Sequence, residues 1–368
     1  MTQPDFLSQP APFDTPEFEV LLADLSRSAA EVDQQGTWPE GQFSRLAEEG
    51  VLGWVIPIEY GGSELDPEML IFGYERLATA CLTTTFNLTQ RNGACQRIAG
   101  CDNSELKAEL LPDLAAGHLF ATVGVSHLTT SRQHLSQPAV QAEEIEDTFV
   151  LNGQIPWVTG AKPADYVVTG GTCVDGRQIL IALPMNLEGL TVEDPVPLLA
   201  LNGSLTGSIA LENVVVDRHY LLAGPVDQVM QRGQGGGTGS VATSSLAVGL
   251  VGRSLAHLMR ESDRRPELTE VVEPFAKEWS QLRMDLYASA RGEGTAETPH
   301  LTAESIRQRA NSLALRSTQA LLAASKGAGF VAGHPAERGI REAMFFLVWS
   351  CPQPIVAAAL REFACLVD

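Results

Sequence analysis

The sequence predicts a mainly α-helical chain with a central antiparallel β domain: helices over residues 1–116, a sheet over 117–225, and helices again over 226–368. Three observations predict it. Up to about residue 112, apolar residues recur at mixed three- and four-residue intervals, as in FEVLLADLSRSAAEV and PEMLIFGYERLATA, the period of a half-buried helix. From about 118 to 222 the runs become short, β-branched and bounded by Gly, Asn, Asp and Pro, the pattern of an antiparallel sheet. After Pro225 the helical texture returns and holds to the end.

In chain order, FSRLAEEGVL extends the first helical block and leads into IPIEYGGSELD, where Gly61 and Gly62 break the helix before Pro67 opens the next. SELKAELLPDLAAG closes the block. FATVGVS, AVQAEEI, TFVLNGQIPWV, YVVTGG, QILIALP and SIALENVVV are the expected strands. The glycine-rich GQGGGTG at 233–239 lacks the preceding strand and the spacing of a phosphate-binding loop, so it is expected to be a flexible joint. RGEGTAETPHLTAES is a loop between two helices, with Thr302 as the cap of the second.

Composition narrows the function classes. A net charge of −20 opposes binding to phosphate backbones, which depends on clustered Lys and Arg. It still permits an anionic cofactor held by a few local arginines or helix N-termini. The six cysteines are scattered without a CxxC pair or His/Cys spacing, so neither a disulfide framework nor a metal site is expected. No apolar run reads as a membrane span, and the acidic, proline-rich start is unlike a targeting leader. The expected setting is the cytoplasm and the expected partner a small molecule.

Five segments in order carry a likeness to a known family: IPIEYGGSELD, LLPDLAAGHLFATVGVS, GQIPWVTGAKPADYVVTGG, LNGSLTGSIALENVVVDRHYLL and SKGAGFVAGHPAERGIREA. Together they resemble the acyl-CoA dehydrogenases, whose plan is a helical domain, a β-barrel domain and a four-helix bundle. That resemblance implies an FAD-dependent oxidoreductase passing hydride to flavin, assembled as a homodimer or homotetramer, with an acyl thioester among the candidate substrates. It implies that Trp157 and Thr159 lie on the flavin ring and that Val125 and Ser126 supply a second contact. Read from the residues alone, Trp157 fits a core aromatic and Thr159 an ordinary strand residue. An indole can also pack on an isoalloxazine, and a hydroxyl can bond its ring nitrogen.

The departures from the family pattern matter as much. His127 stands where the family has Glu, making it a candidate acid or base as well as a solvated loop histidine. At the pyrophosphate end, which the family builds with a neighbouring subunit, Arg265 is kept. Leu268 and Thr269 replace Phe and Gly there, and Lys326 with Gly327 replaces a glycine pair. The position of the family's catalytic glutamate falls on Ser350, and its alternative position falls near Gly239. A serine is no base at neutral pH without an activating partner. Glu342, Glu337, His334 and His127 are the substitute candidates, although Glu342 and Glu337 can equally pair with Arg338 or Arg341 along a helix. Two alternatives to dehydrogenation remain: a flavin-dependent monooxygenase on the same fold, and an inactive binding or scaffold homologue.

Overall fold

The computed structural model describes residues 13–129, 137–231 and 241–366. The GQGGGTG stretch, Gly239 and most of the loop after His127 lie outside the described residues.

Five helices come first: α1 (Pro16–Gln35), α2 (Glu40–Glu48), α3 (Pro67–Ala80), α4 (Leu82–Ala99) and α5 (Ser104–Ala116). Their starts follow from local chemistry. Thr15 accepts from Phe18 N, Asp66 from Met69 N and Asn103 from Leu106 N, each satisfying an amide that the first turn leaves without a partner. Pro16 and Pro67 occupy first-turn positions where no amide hydrogen is required. Between α2 and α3 the YGG turn is sterically fixed. Gly61 has φ +82°, and a Cβ on Gly62 would stand 1.9 Å from Ile56 O, so neither position admits a larger residue without rearrangement.

The sheet follows. Its strands are β1 (Ala121–Val123), β2 (Val140–Ile145), β3 (Thr148–Val158), β4 (Tyr166–Thr172), β5 (Gln178–Pro184), β6 (Leu190–Val192), β7 (Gly207–Asp217) and β8 (Leu221–Val226). A single-turn helix, α6 (Ser126–Thr129), follows β1. The strand order is β6-β7-β3-β2-β4-β5-β8, with β1 added beside β4. Most pairs are antiparallel, but β1 and β2 both run parallel to β4, so the sheet is mixed. The helical texture expected from Pro225 also starts later, because Pro225 lies in β8, which pairs with β5.

The last helices are α7 (Val241–Arg264), α8 (Thr269–Ala290), α9 (Ala303–Ser325), α10 (Pro335–Phe345) and α11 (Gln353–Phe363). Thr302 caps α9 by accepting from Ser305 N. α7 is long and apolar enough to cross a membrane, yet its apolar residues are buried within the protein, as in the core helix of a bundle.

Three apolar clusters fix how the layers meet. Residues of α1 to α4 share one core with α7 to α10, so both ends of the chain close on each other. One face of β4 and β5, carrying Val167, Ile179, Ile181 and Leu183, packs on β2, β3 and β7. Their other face, carrying Val168, Leu180 and Ala182, packs under α4 and α5. Burial on both faces explains the nearly continuous apolar runs of these two strands. Each such fully buried side chain contributes about 1.5–3 kcal/mol.

Candidate functional site

Where the sheet meets the two helical layers, a cavity of about 1290 Å³ opens. One ligand pocket typically measures roughly 300–1,000 Å³, so this cavity has space for a ring system and a second molecule. Five of the residues singled out from the sequence line it: Val125, Ser126, Trp157, Thr159 and Ser350.

Local structure explains each placement. In β3 the ladder to β7 slips between Ile155 and Val158. Both of those residues stay in the core, and the irregularity turns the intervening Trp157 outward, as β-bulges commonly do. The indole is 47% exposed and borders the cavity, which is not the environment of a core aromatic. Thr159, just beyond the strand, is held in a hydroxyl chain: its Oγ1 is 3.1 Å from Thr206 Oγ1, which is 2.8 Å from Ser204 Oγ. Its carbonyl accepts from Thr122 Oγ1 at 2.7 Å, tying it to β1.

Val125 lies between β1 and α6, and Ser126 opens α6. Gly124 N donates to Val168 O at 2.8 Å and Thr169 Oγ1 donates to Gly124 O at 2.7 Å, which pins this segment to β4. Ser126 Oγ is buried and has no hydrogen-bond partner among the described residues. A buried hydroxyl without a partner costs about 1–3 kcal/mol, so a ligand that bonds it at the cavity wall would recover that loss.

Ser350 follows α10 with φ +49°. The turn that carries it is held from behind by fully buried Arg307, whose Nη2 donates to Trp349 O at 2.8 Å. Asn311 Nδ2 donates to Phe346 O at 2.9 Å. Trp349 stacks on Phe345, with centroids 5.0 Å apart, and meets Phe86 edge-on at 4.9 Å. These three rings form the apolar wall of the cavity.

The proposed substitute bases do not reach this space. His127 is turned beneath the sheet by α6; its ring is only 9% exposed, with Nε2 2.9 Å from Gly170 O. Glu342 is 2% exposed, paired with Arg253 and 3.7 Å from Arg338 Nε. Glu337 pairs with Arg341, whose hydrogen bond holds its carboxyl below the usual range. His334 caps α10, its Nδ1 accepting from Ala336 N at 3.1 Å. All four have partners among the described residues, and Glu342 pairs both along its own helix with Arg338 and across to Arg253 of α7.

Among the described residues, no Asp, Glu, His, Cys, Tyr or Lys lines the cavity. Its charges are the guanidiniums of Arg97 and Arg341, and the rest of its polar wall consists of hydroxyls and amides. Hydrogen bonds that Arg341 donates to Asp33 and Glu337 raise its pKa further. The wall can therefore orient a ring and donate hydrogen bonds to negative charge, but its described residues present no group that accepts a proton from carbon at neutral pH. Arg97, the glutamines and the Phe86–Phe345–Trp349 wall were not singled out from the sequence. The signal for the first was the polar face of α4, Gln90, Gly93, Gln96 and Arg97, within an otherwise buried helix.

Arg265, Lys326 and Gly327 lie apart from this lining. Arg265 donates to Glu261 at 2.7 Å and to Ala324 O at 2.6 Å. It therefore sits beside the end of α9, where Lys326 and Gly327 are exposed.

Comparison with known proteins gives concordant results. Residues 19–118 match the family "Acyl-CoA dehydrogenase, N-terminal domain". A probable acyl-CoA dehydrogenase of Bacillus subtilis, YngJ, is 28% identical over 260 residues, 68% of each chain. The oxygenase subunit HsaA of a flavin-dependent monooxygenase from Rhodococcus jostii is 23% identical over 207 residues, covering 56% of this chain and 50% of that protein. The fold superimposes on glutaryl-coenzyme A dehydrogenase in complex with glutaryl-CoA with a TM-score of 0.80 and 19% identity, over 95% of this chain and 96% of the other.

Proposed function

Because the chain belongs to the acyl-CoA dehydrogenase family, we propose that it is a flavin-dependent oxidoreductase whose reaction does not begin with removal of a carbon-bound proton by a carboxylate. The observation that carries this reading is the composition of the cavity wall: Val125, Ser126, Trp157 and Thr159 converge on it, and no acid or histidine among the described residues lines it.

The residues present fit a flavin ring. Trp157 supplies an aromatic plane, and Ser126 a buried hydroxyl in need of a partner. Thr159 offers a second hydroxyl, already oriented by Thr206. A bound flavin would supply the capacity to accept hydride or electrons; the chain supplies the platform, the hydrogen bonds and the exclusion of water. FAD is the proposed form. Arg265 and Lys326 lie off the cavity; their proposed role, by likeness to the family, is at the pyrophosphate of a second copy's cofactor, and the proposed assembly is a dimer or tetramer.

The same base-free wall favours a second reading, monooxygenation, which requires no α-proton base; the similarity to HsaA supports it. Positioned general base catalysis is worth typically 10²–10⁴-fold, so without it thioester oxidation would be slow. The test is anaerobic mixing of the FAD-loaded protein with acyl-CoAs of different chain length while the flavin absorbance is followed. The flavin is expected to stay oxidised; rapid bleaching by any of them would overturn the base-free reading. Substrate-dependent oxygen uptake by the reduced protein would select the monooxygenase. A colourless protein that binds no added FAD would leave only a binding or scaffold role.

A further inference from the structure

We infer that the substrate carries an oxyanion, a carboxylate or a phosphate, received at the polar end of the cavity by Arg97 and the amide side chains around it. The inference rests on the flavoenzyme reading for the rest of the cavity and concerns the part of the wall that a flavin ring against Trp157 does not use.

That part is built mainly by one face of α4. Gln90, Gly93, Gln96 and Arg97 all line the cavity, and their spacing of three, three and one keeps them on neighbouring rows of a helix. Gln178 of β5 joins them, as do Gln228 and Gln231 around the turn after β8. Five carboxamides and a guanidinium thus gather in one cavity whose other wall is Phe86, Phe345 and Trp349. The Arg97 guanidinium lies back along its own helix, donating to Gly93 O at 2.7 Å. A Cβ on Gly93 would stand 3.3 Å from Arg97 Nη1, so glycine at 93 leaves room for that posture. Arg97 is only 9% exposed, and burial lowers the pKa of its guanidinium.

Charge sign decides the ligand class. The whole chain carries −20, yet the described wall of the cavity carries positive groups only. Arg341 is matched behind the wall by Asp33 and Glu337. At the α4 end, a cationic ligand would meet the like charge of Arg97, and no carboxylate lines the cavity among the described residues. An oxyanion would accept charge-assisted bonds from the guanidinium and further bonds from amide N–H groups, in a cleft that concentrates anions. The substrate is therefore amphipathic, with an apolar body for the aromatic wall and an oxyanion for Arg97.

The experiment measures binding of octanoate, octyl phosphate and neutral octanamide to the full-length protein by calorimetry, with FAD and riboflavin titrated in parallel. At least one of the two oxyanions is expected to bind tenfold or more tighter than octanamide. Replacing a charged hydrogen-bond donor changes affinity by about tenfold to a hundredfold, so Arg97→Gln is expected to remove that preference. Gln96→Glu keeps Arg97 but puts a carboxylate on the same face, and is expected to weaken oxyanion binding as well; it serves as the check if Arg97→Gln fails to fold. FAD affinity is expected to stay within twofold in both variants. Equal binding of the charged and neutral probes, no binding of either oxyanion at millimolar concentration, or an unchanged preference in the variants would each overturn the inference. So would loss of FAD binding with riboflavin unaffected in Arg97→Gln, because the anion would then be the cofactor's own phosphate. Should the wild type bind no flavin yet still prefer the oxyanions, the flavoenzyme reading fails while the anion site stands.

Discussion

Glu342→Gln separates a structural carboxylate from a catalytic one. Glu342, on the helix that precedes Ser350, is the acid nearest to it in sequence, and if any group replaced the missing base it would be the first suspect. The structure gives it another task. Its side chain is 2% exposed and lies between Arg253 and Arg338, both buried. His257 is near enough to both arginines to sense their charge. Breaking a buried pair from one side costs about 3–5 kcal/mol, because the remaining charge stays desolvated. At an unfolding entropy of about 2.1 cal/mol/K per residue, a cooperative chain of 368 residues would melt about 4–6 °C lower. Differential scanning calorimetry reads that shift, and FAD titration at 25 °C reads the site. The expected result is a lowered Tm with FAD affinity, and any turnover found for the wild type, within about twofold. A catalytic base would show the reverse, with Tm nearly unchanged and turnover down by about 10²–10⁴-fold, and that outcome would refute the assignment.

Three further predictions address neighbouring groups. Trp157→Ala is expected to weaken FAD binding by about tenfold, since aromatic stacking is worth about 0.5–1.5 kcal/mol beyond the area it covers; fluorescence titration measures it, and unchanged affinity would remove the indole from the flavin site. Ser126→Ala removes a buried hydroxyl that has no partner among the described residues, so thermal stability is expected to hold or rise slightly while FAD binding weakens about fivefold to tenfold; a large loss of stability with unchanged binding would contradict the placement. Burial, reinforced by Arg260, Arg253, His334 and Arg338, lowers the His257 pKa from 6.5 to about 4. The unfolded chain therefore takes up a proton between pH 6.5 and 4 that the folded chain refuses. The stabilising contribution of this neutral histidine is complete above about pH 6.5 and is lost as pH falls toward 4, by at most about 2 kcal/mol after allowing for its partial exposure. His257→Gln should flatten urea stability over that range, and an unchanged slope would exclude His257 as its source.

The architecture was legible because period and punctuation agree along most of the chain. TFVLNGQIPWV is β3 residue for residue, and Pro67 and Thr302 start helices as their positions predict. The misjudged places are those where tertiary contacts override local pattern. Only Ala121–Val123 of FATVGVS forms a strand, because its next residues turn into α6 to reach the cavity. Pro225 closes a strand rather than opening a helical region, since β8 finds an open edge on β5. Parallel pairing of β1 and β2 with β4 leaves no mark in the alternation of side chains, which is the same for either direction of pairing.

The site divides along the same line. Trp157, Thr159 and Ser126 were singled out by the family resemblance and line the cavity, whereas their residue types alone read as a core aromatic and ordinary strand or loop hydroxyls. The base candidates were misplaced because proximity in sequence to Ser350 or Ser126 says nothing about which way a side chain turns. On α10 the residues one position apart, Arg341 and Glu342, face differently: the first borders the cavity and the second is sealed against α7. On α6 the same split separates Ser126, at the wall, from His127, under the sheet. Each step along a helix turns the side chain by about 100°, so a candidate shifted by one residue changes from a reagent to a strut. Among the described residues, the lack of an acid or histidine on the cavity wall therefore does not turn on Ser350 alone. Glu342 is paired across to Arg253 and Glu337 along its own helix to Arg341, while His334 caps α10 and His127 meets Gly170 O, so on the proposed reading proton abstraction would require a new carboxylate on the wall itself.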